Sequence, residues 1–308
     1  MMFAASTDTG RIKATSYKEH ERTYSRLGRV EHDPTEVWRR TCITSDMFNY
    51  FFKPPMERKL QLFHKYGFKY VHWCDNWNDE SFYSESDIEL FCRLLRNGGL
   101  KCVDVHGTAT DKIRIDAIDE TFRSRYIQLL ENRIRFCMAA GGDCLVIHPP
   151  SGNAGTAELR ESLNRSLGVF EEIRPLCEDL GVALAIENCS KAAEEQLAFY
   201  FERFPSSFVG FCFDSGHSNL DRDFDQLKKF GNRLKALHLH DNRGSTDDHQ
   251  PPFWGTVDWG GIVEWIKETG YSKPINFEIT HSPRLFEGTM EEYLRFSVEA
   301  INRLLRLF

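Results

Sequence analysis

The sequence has no apolar run approaching the roughly 20 residues that a membrane-spanning helix requires. Its start, Met1 to Ser6, shows no basic segment followed by an apolar one, which is the pattern of a secretory signal. Together these absences predict a protein without a membrane anchor. We therefore expect a soluble, cytoplasmic protein.

Cysteine pairs of the CxxC type are also missing, and the nine cysteines are an odd number. Several of them, including Cys102, Cys144 and Cys212, lie in apolar runs that are typical of strands. A disulfide framework or a zinc ribbon would show regularly spaced pairs instead. We predict that the cysteines are reduced core residues.

Long clusters of basic residues are absent as well. No run of Lys and Arg exceeds a dipeptide, and the formal net charge is -7. Because contacts to phosphates require such clusters, the composition argues against a nucleic-acid partner. Neither GxGxxG nor GxxxxGK(S/T) follows a candidate strand, which argues against a nucleotide-binding site.

What the sequence contains is a regular alternation of short and long segments. Residues 1–40 are polar and charged without a clear period, and we interpret them as an N-terminal extension. Residues 41–308 alternate short β-rich runs with longer helical patterns, and their length suits one large core. The eight candidate strands are Thr41–Met47, Tyr70–Cys74, Lys101–His106, Cys144–His148, Val182–Glu187, Val209–Asp214, Leu234–His240 and Ile275–Ile279.

Helical patterns lie between these strands, and glycines follow several of them directly before the next strand. The clearest are Glu85–Asn97, Thr121–Ala140, Ala157–Leu180 and Val257–Thr269. Parallel neighbours need a helical crossover, and eight strand-helix units close naturally into a barrel. We predict a single (β/α)8 TIM barrel over residues 41–308. An open doubly wound sheet is the alternative, and the missing nucleotide motifs disfavour it.

Polar residues end several strands with the same orientation. In the run from Ala183 to Glu187, the large Leu184 and Ile186 share one face, while the two alanines and Glu187 share the other. Large residues pack against the helices, so the smaller face points into the barrel. The acids and imidazoles that share this inward position at strand ends are Glu187, Asp214, His238, His240 and Glu278.

A buried group of carboxylates is unfavourable unless a cation neutralises it. Three carboxylates with one imidazole form a ligand set that suits Mn²⁺, Mg²⁺, Co²⁺ or Zn²⁺. Barrel enzymes keep their sites at this rim, so we expect one divalent cation there. Further candidates at the same rim are His106, His148, His217, Asp247 and His249.

In this order and at these strand ends, a set of short segments resembles the sugar-phosphate isomerase/epimerase-like branch of the xylose isomerase-like barrels. That superfamily includes ketose 3-epimerases, inosose isomerases and dehydratases, and endonuclease IV. The segments are Val146–Pro149, Ala185–Asn188, Phe213–His217, Leu237–Asn242, Gly255–Trp259 and Asn276–Glu278. The resemblance covers the chain from about residue 41 to its end.

The resemblance implies that Glu187, Asp214, His238 and Glu278 are the metal ligands, which selects His238 over His240. It also implies that Glu187 and Glu278 act as acid and base on a sugar substrate. Proton abstraction beside a carbonyl needs a positioned base, and the enediolate that forms needs a cation on its oxygens. The expected activity is that of an isomerase or epimerase of a sugar or sugar phosphate, and a homo-oligomer is compatible with it.

Substrate contacts follow from the same resemblance. His217 and Arg243 resemble the family's contacts to substrate hydroxyl and oxyanion groups. His106 and His148 are further substrate-binding candidates, and Trp73, at the end of the second strand, is expected either to stack on a sugar ring or to pack in the core.

Three alternatives remain open from the sequence. The first is a phosphodiesterase, because nine of the candidates at the rim also resemble, in order, the ligands of the three-zinc cluster of endonuclease IV. They are His106, His148, Glu187, Asp214, His217, His238, Asp247, His249 and Glu278. The second is a lyase or dehydratase of a 3-oxo-sugar derivative, with His148 or His106 as the base. The third is a sugar-binding barrel without catalysis.

Overall fold

The computed structural model describes residues 40–308, and residues 1–39 of the predicted extension lie outside the described residues. The chain from Thr41 onward forms eight parallel strands with helices between them, which confirms the predicted TIM barrel. The strands are β1 (Thr41–Thr44), β2 (Tyr70–Trp73), β3 (Lys101–His106), β4 (Cys144–Ile147), β5 (Ala183–Glu187), β6 (Val209–Asp214), β7 (Leu234–His238) and β8 (Ile275–Phe277).

Helices fill the connections between the strands. They are α1 (Met56–Lys65), α2 (Glu85–Asn97), α3 (Glu120–Ala139), α4 (Ala157–Leu180), α5 (Ala193–Phe201), α6 (Ser215–Asp221), α7 (Phe224–Leu227), a 3-10 helix (Lys228–Arg233), α8 (Trp259–Thr269) and α9 (Met290–Leu305). Helix α8 begins two residues later than predicted because the Asp258 side chain caps it, accepting from the Gly261 amide. No helix among the described residues is long and apolar enough to cross a bilayer.

The strands follow one another around the barrel in the order β8, β1, β2 and so on to β7. Closure between β7 and β8 rests on one parallel bridge, Leu239 with Phe277. There the Leu239 amide donates to Asn276 O (3.1 Å), and the Glu278 amide donates to Leu239 O (3.1 Å). Since the pairing of Leu239 is an isolated bridge and not a ladder, β7 and β8 end at His238 and Phe277, earlier than the predicted Leu234–His240 and Ile275–Ile279.

Side chains of the strands divide into two layers as predicted. Leu184 and Ile186 of β5 belong to the large apolar layer between strands and helices. The barrel interior holds a separate group of smaller residues: Cys144, Val146, Ala185, Cys212 and Ala236. Small interior residues leave space above them, so polar side chains fit at the carboxyl ends of the strands.

The cysteines agree with the sequence-based prediction. All nine are free thiols, and eight of them are buried. Burial raises the pKa of the Cys144 thiol to about 12, which keeps it protonated and unreactive.

Candidate metal centre

Glu187, Asp214, His238 and Glu278 come together at the carboxyl ends of the strands. Each contributes one ligand atom to a group in which all the atoms lie within 4.8 Å of one another. Glu187, Asp214 and His238 are the last residues of β5, β6 and β7, and Glu278 directly follows β8. All four are buried. The four residues therefore form a compact set of cation ligands, the central group.

The two histidines that strand parity leaves equivalent have different partners. His238 Nδ1 lies 3.3 Å from Glu187 Oε1 and 3.0 Å from Glu278 Oε2. His240 lies beyond β7, and its Nε2 is instead 3.0 Å from Asp214 Oδ2. The geometry therefore puts His238 in the central group.

Charges in the central group depend strongly on one another. Burial raises the pKa of Glu187 and of Glu278, but the charges and hydrogen bonds of the neighbouring histidines, His238 foremost, together outweigh it and hold both pKa values below their ordinary range. Burial lowers the pKa of His238, yet Cys212 and the two glutamates raise it well above its ordinary value. The carboxylates thus strongly favour a positive charge between them.

Several polar atoms of this region are buried without a hydrogen-bond partner. They include Glu187 Oε2, His217 Nδ1 and both ring nitrogens of His238. Leaving such atoms unsatisfied costs about 1–3 kcal/mol each, unless another partner is present. Since a divalent cation coordinates carboxylate oxygens and one ring nitrogen of each histidine, the donor set fits a metal ion.

A second group lies on the β3 and β4 side and shares Glu187. Glu187 Oε2 is 3.1 Å from His148 Nε2 and 3.5 Å from His106 Nε2. His106 Nδ1 lies 2.8 Å from the Gly107 carbonyl oxygen, to which it donates, so its Nε2 carries the lone pair. His106, His148 and Glu187 therefore form another potential cation site, the His106 group.

A third group lies on the other side, in the loop after β7. Asp247 Oδ2 is 3.2 Å from both His217 Nε2 and His249 Nε2, and His240 contributes a further ring. The rings of His240 and His249 stack with centroids 3.9 Å apart. Although burial lowers it, the Asp247 carboxylate raises the pKa of His249 to about 10. We call this set the Asp247 group.

Two residues predicted to contact the substrate, Trp73 and Arg243, lie outside these three groups. Trp73 is buried on the helix side of β2, where it packs against Phe91 and Phe136 and donates from Nε1 to Tyr83 Oη (3.1 Å). The expected stacking of Trp73 on a sugar ring is therefore wrong, and its core packing is correct. Arg243 is exposed, and within the described residues 40–308 no hydrogen bond or ion pair involves its side chain.

An aromatic residue that does face the groups is Trp77, which was not predicted. Its ring centroid lies 5.1 Å from that of His106 and 5.5 Å from that of His148. Trp77 follows β2 in a loop, where strand parity gives no orientation. No sequence pattern used above could have distinguished it.

His72 was also missed, although strand parity could have found it. It stands next to Trp73 in β2, so its side chain points into the barrel, where it is completely buried. His72 Nδ1 lies 2.7 Å from Asp104 Oδ1 of β3. Both residues share the inward position of the predicted ligands.

Two cavities flank Trp77. One of about 470 Å³ is lined by Trp77, His148, Arg114 and Tyr126, among others. The other, of about 480 Å³, is lined by Trp77, Tyr50, Lys59 and Cys74, among others. Each volume falls in the range of small-molecule sites.

Comparison with known proteins gives a family match and one strong relative. Residues 60–303 match the family model described as xylose isomerase-like TIM barrel. The uncharacterized protein y4fM of Sinorhizobium fredii is 30% identical over 271 residues, which cover 77% of this chain and 86% of that protein.

Solved structures give likenesses at the level of the fold. The IOLI protein with a binding zinc atom has a TM-score of 0.70 and 18% identity, covering 87% of this chain and 99% of its own. The D-psicose 3-epimerase with D-tagatose from Clostridium cellulolyticum H10 has a TM-score of 0.69 and 15% identity, with the same coverage of 87% and 99%.

Proposed function

Because this chain belongs to the xylose isomerase-like TIM barrel family, we propose that it is a divalent-metal-dependent isomerase or epimerase of a sugar or sugar phosphate. The observation that carries the proposal is the central group, where Glu187 and Glu278 lie on either side of His238 (3.3 and 3.0 Å). Two carboxylates beside one cation site are what reversible proton transfer next to a carbonyl requires.

Glu187, Asp214, His238 and Glu278 would hold the cation, which supplies positive charge for the oxygens of an enediolate. One glutamate accepts the proton from the carbon beside the carbonyl, and the other returns a proton. Return to the same carbon from the opposite face gives an epimer, and return to the adjacent carbon gives an aldose-ketose isomer. Each such proton-transfer partner contributes roughly 10²–10⁴-fold to the rate.

The surroundings of the central group support a sugar as the substrate. Trp77 offers an aromatic face beside His106 and His148, and apolar sugar faces stack on such rings. In this proposal His217, whose Nδ1 is 3.3 Å from Glu187 Oε1, would contact a hydroxyl group near the reacting carbon. The epimerase of similar fold was solved with D-tagatose, a ketose, which agrees with this substrate class.

Deuterium exchange tests the proposal directly. The metal-loaded protein is incubated in heavy water with a panel of ketoses, sugar phosphates and 3-oxo-sugars, and deuterium incorporation at carbon is followed by NMR. We expect exchange with at least one substrate and its loss, by about 10²-fold or more, in Glu278→Gln. Glu264→Gln, the same change on the exposed face of α8, is the control and should retain exchange.

The same panel distinguishes the lyase alternative. Elimination from a 3-oxo-sugar would release a leaving group along with proton abstraction, and His148 or His106 would serve as the base. Product analysis by mass spectrometry separates loss of a group from isomer formation. Exchange that persists at the wild-type rate in Glu278→Gln contradicts the role proposed for Glu278.

A second candidate function has a specific observation in its favour. The His106 group, the central group and the Asp247 group adjoin one another, which is the arrangement that a trinuclear zinc phosphodiesterase resembling endonuclease IV requires. The measurement that decides is the zinc content together with nicking of abasic DNA. Deuterium exchange without nicking supports the isomerase, whereas zinc in all three groups, with nicking and no exchange, favours the phosphodiesterase.

A further inference from the structure

We propose that His72, Cys74 and Glu278 form an additional cation site on the β2 side of the barrel, which takes a thiophilic divalent ion such as Zn²⁺. One ligand atom of each residue lies within 4.8 Å of the others. This site, the His72 site, is separate from the three groups described above and shares only Glu278 with them. It does not depend on which reaction the central group performs.

His72 supplies the main evidence. Its side chain is completely buried, and its Nε2 has no hydrogen-bond partner. Nδ1 is 2.7 Å from Asp104 Oδ1, a carboxylate that accepts the Nδ1 proton and so leaves the lone pair on Nε2. A histidine with one nitrogen bound to a carboxylate and the other free is the usual arrangement of a metal ligand.

The distances suit a small cation. Nε2 of His72 lies 3.9 Å from Glu278 Oε1, and Cys74 Sγ lies 3.8 Å from the same oxygen. With Zn–N of about 2.0 Å and Zn–S of about 2.3 Å, tetrahedral ligand atoms stand about 3.3–3.7 Å apart. The two contacts to Glu278 Oε1 would therefore shorten by about 0.3–0.6 Å when the three residues hold the ion.

Glu278 can serve both neighbours because its two oxygens face in different directions. Oε2 lies 3.0 Å from His238 Nδ1 in the central group, whereas Oε1 faces His72 and Cys74. The two oxygens of Glu187 also face different groups: Oε1 faces His238 in the central group, and Oε2 faces His148 in the His106 group. Each glutamate thus can bridge two cations.

The surroundings provide negative charge and access. Asp46 is buried nearby, and both it and Cys74 line the cavity of about 480 Å³. A cation can enter through that cavity. On binding, the Cys74 thiol loses its proton to water and the sulfur becomes a thiolate ligand.

A thiol hydrogen bond from Cys74 to Glu278 explains part of this geometry without a cation. It accounts for the position of the sulfur. It provides no partner for the buried Nε2 of His72, which only a proton donor or a cation can satisfy.

Cobalt spectroscopy tests the proposal. The full-length protein is stripped of metal and titrated with Co²⁺, and the near-ultraviolet charge-transfer band of a cobalt thiolate is recorded. We expect the band in the wild type, its loss in Cys74→Ser and its retention in Cys144→Ser. Cys144 is the matched control, because it is a buried cysteine of the barrel interior at the start of β4, away from the carboxyl ends of the strands where the ligands lie.

The cobalt-thiolate band tests the His72 site independently of the proposed activity, because it requires no substrate. A wild-type titration without the band overturns the proposal, as does a band that survives in Cys74→Ser or disappears in Cys144→Ser. Cys74→Ala is a second variant in case the serine destabilises the barrel, and circular dichroism verifies that each variant is folded. Zinc content at saturation should fall by about one ion per chain in both Cys74 variants.

Discussion

At the scale of single residues, Gly216 shows how tightly the Asp247 group is packed. A Cβ atom there would lie 1.9 Å from His240 Cε1, and His240 is itself fixed by stacking on His249. We expect Gly216→Ala to displace His240 and to lower the free energy of unfolding by about 1–3 kcal/mol. Urea unfolding measures the change. Gly260→Ala, with its nearest atom at 3.5 Å, should be neutral or slightly stabilising, and equal stability of the two variants contradicts this account.

Lys59 is a buried cation with two oxygen partners. Its Nζ lies 2.9 Å from Asp75 Oδ1 and 2.6 Å from Asn49 Oδ1. Because Lys59→Met leaves the Asp75 carboxylate without its countercharge, we expect a loss of about 3 kcal/mol in the free energy of unfolding. Adding Asp75→Asn should recover part of that loss. A double-mutant cycle by urea denaturation tests this, and purely additive effects would show that the pair does not interact.

Strand parity predicted which residues reach the barrel interior, because the side-chain period of a strand is fixed at two. It placed Glu187 and Asp214 correctly but could not separate His238 from His240, which share the same parity. Their difference comes from the chain leaving β7 after His238, which turns His240 toward Asp214. Strand parity would also have excluded Trp73 as a substrate contact, because its neighbour His72 faces the barrel interior and Trp73 therefore faces the helices.

At the scale of elements, Gly181 ends α4, the longest helix within residues 40–308. It adopts a left-handed conformation with φ of 67° at the end of α4, and open space surrounds the position of a Cβ atom. Gly181→Ala should therefore cost about 1 kcal/mol through backbone strain alone, whereas Gly181→Asn should cost less, since Asn tolerates this conformation. Thermal unfolding compares the variants. An alanine variant as stable as the wild type would contradict the argument.

The positions of the elements could be predicted better than their ends. Helices α2 and α4 begin and end where the pattern predicts, because a capping side chain precedes each of them and a glycine follows it. Strand β1 stops at Thr44, three residues short of the prediction, because Asp46 O accepts from the Asn49 amide in a turn. Apolar composition continues through that turn, so hydrophobicity alone could not mark the boundary.

At the scale of the whole molecule, metal removal should lower stability. The proposed ligands come from strands across the barrel, so a cation binds the folded state alone and stabilises it by about 2.7 kcal/mol at a hundredfold excess over Kd. We expect a chelator to lower the melting temperature by several degrees and Zn²⁺ or Mn²⁺ to restore it. The change in melting temperature between the chelated and the metal-loaded protein should be smaller in Asp214→Asn, which alters a proposed ligand, than in the control Glu264→Gln. A melting temperature indifferent to chelator and metal would argue against the proposed site.

The single bridge between Leu239 and Phe277 bears on when the proposed metal site is assembled during synthesis. During synthesis, β8 is the last of the eight barrel strands to emerge, and Glu278 is the last of the four central ligands to appear. A nascent chain that already carries Glu187, Asp214 and His238 still lacks the ligand that faces His238 across the seam. Tight cation binding would then require the closed barrel, and a nascent chain without β8 would bind the cation weakly.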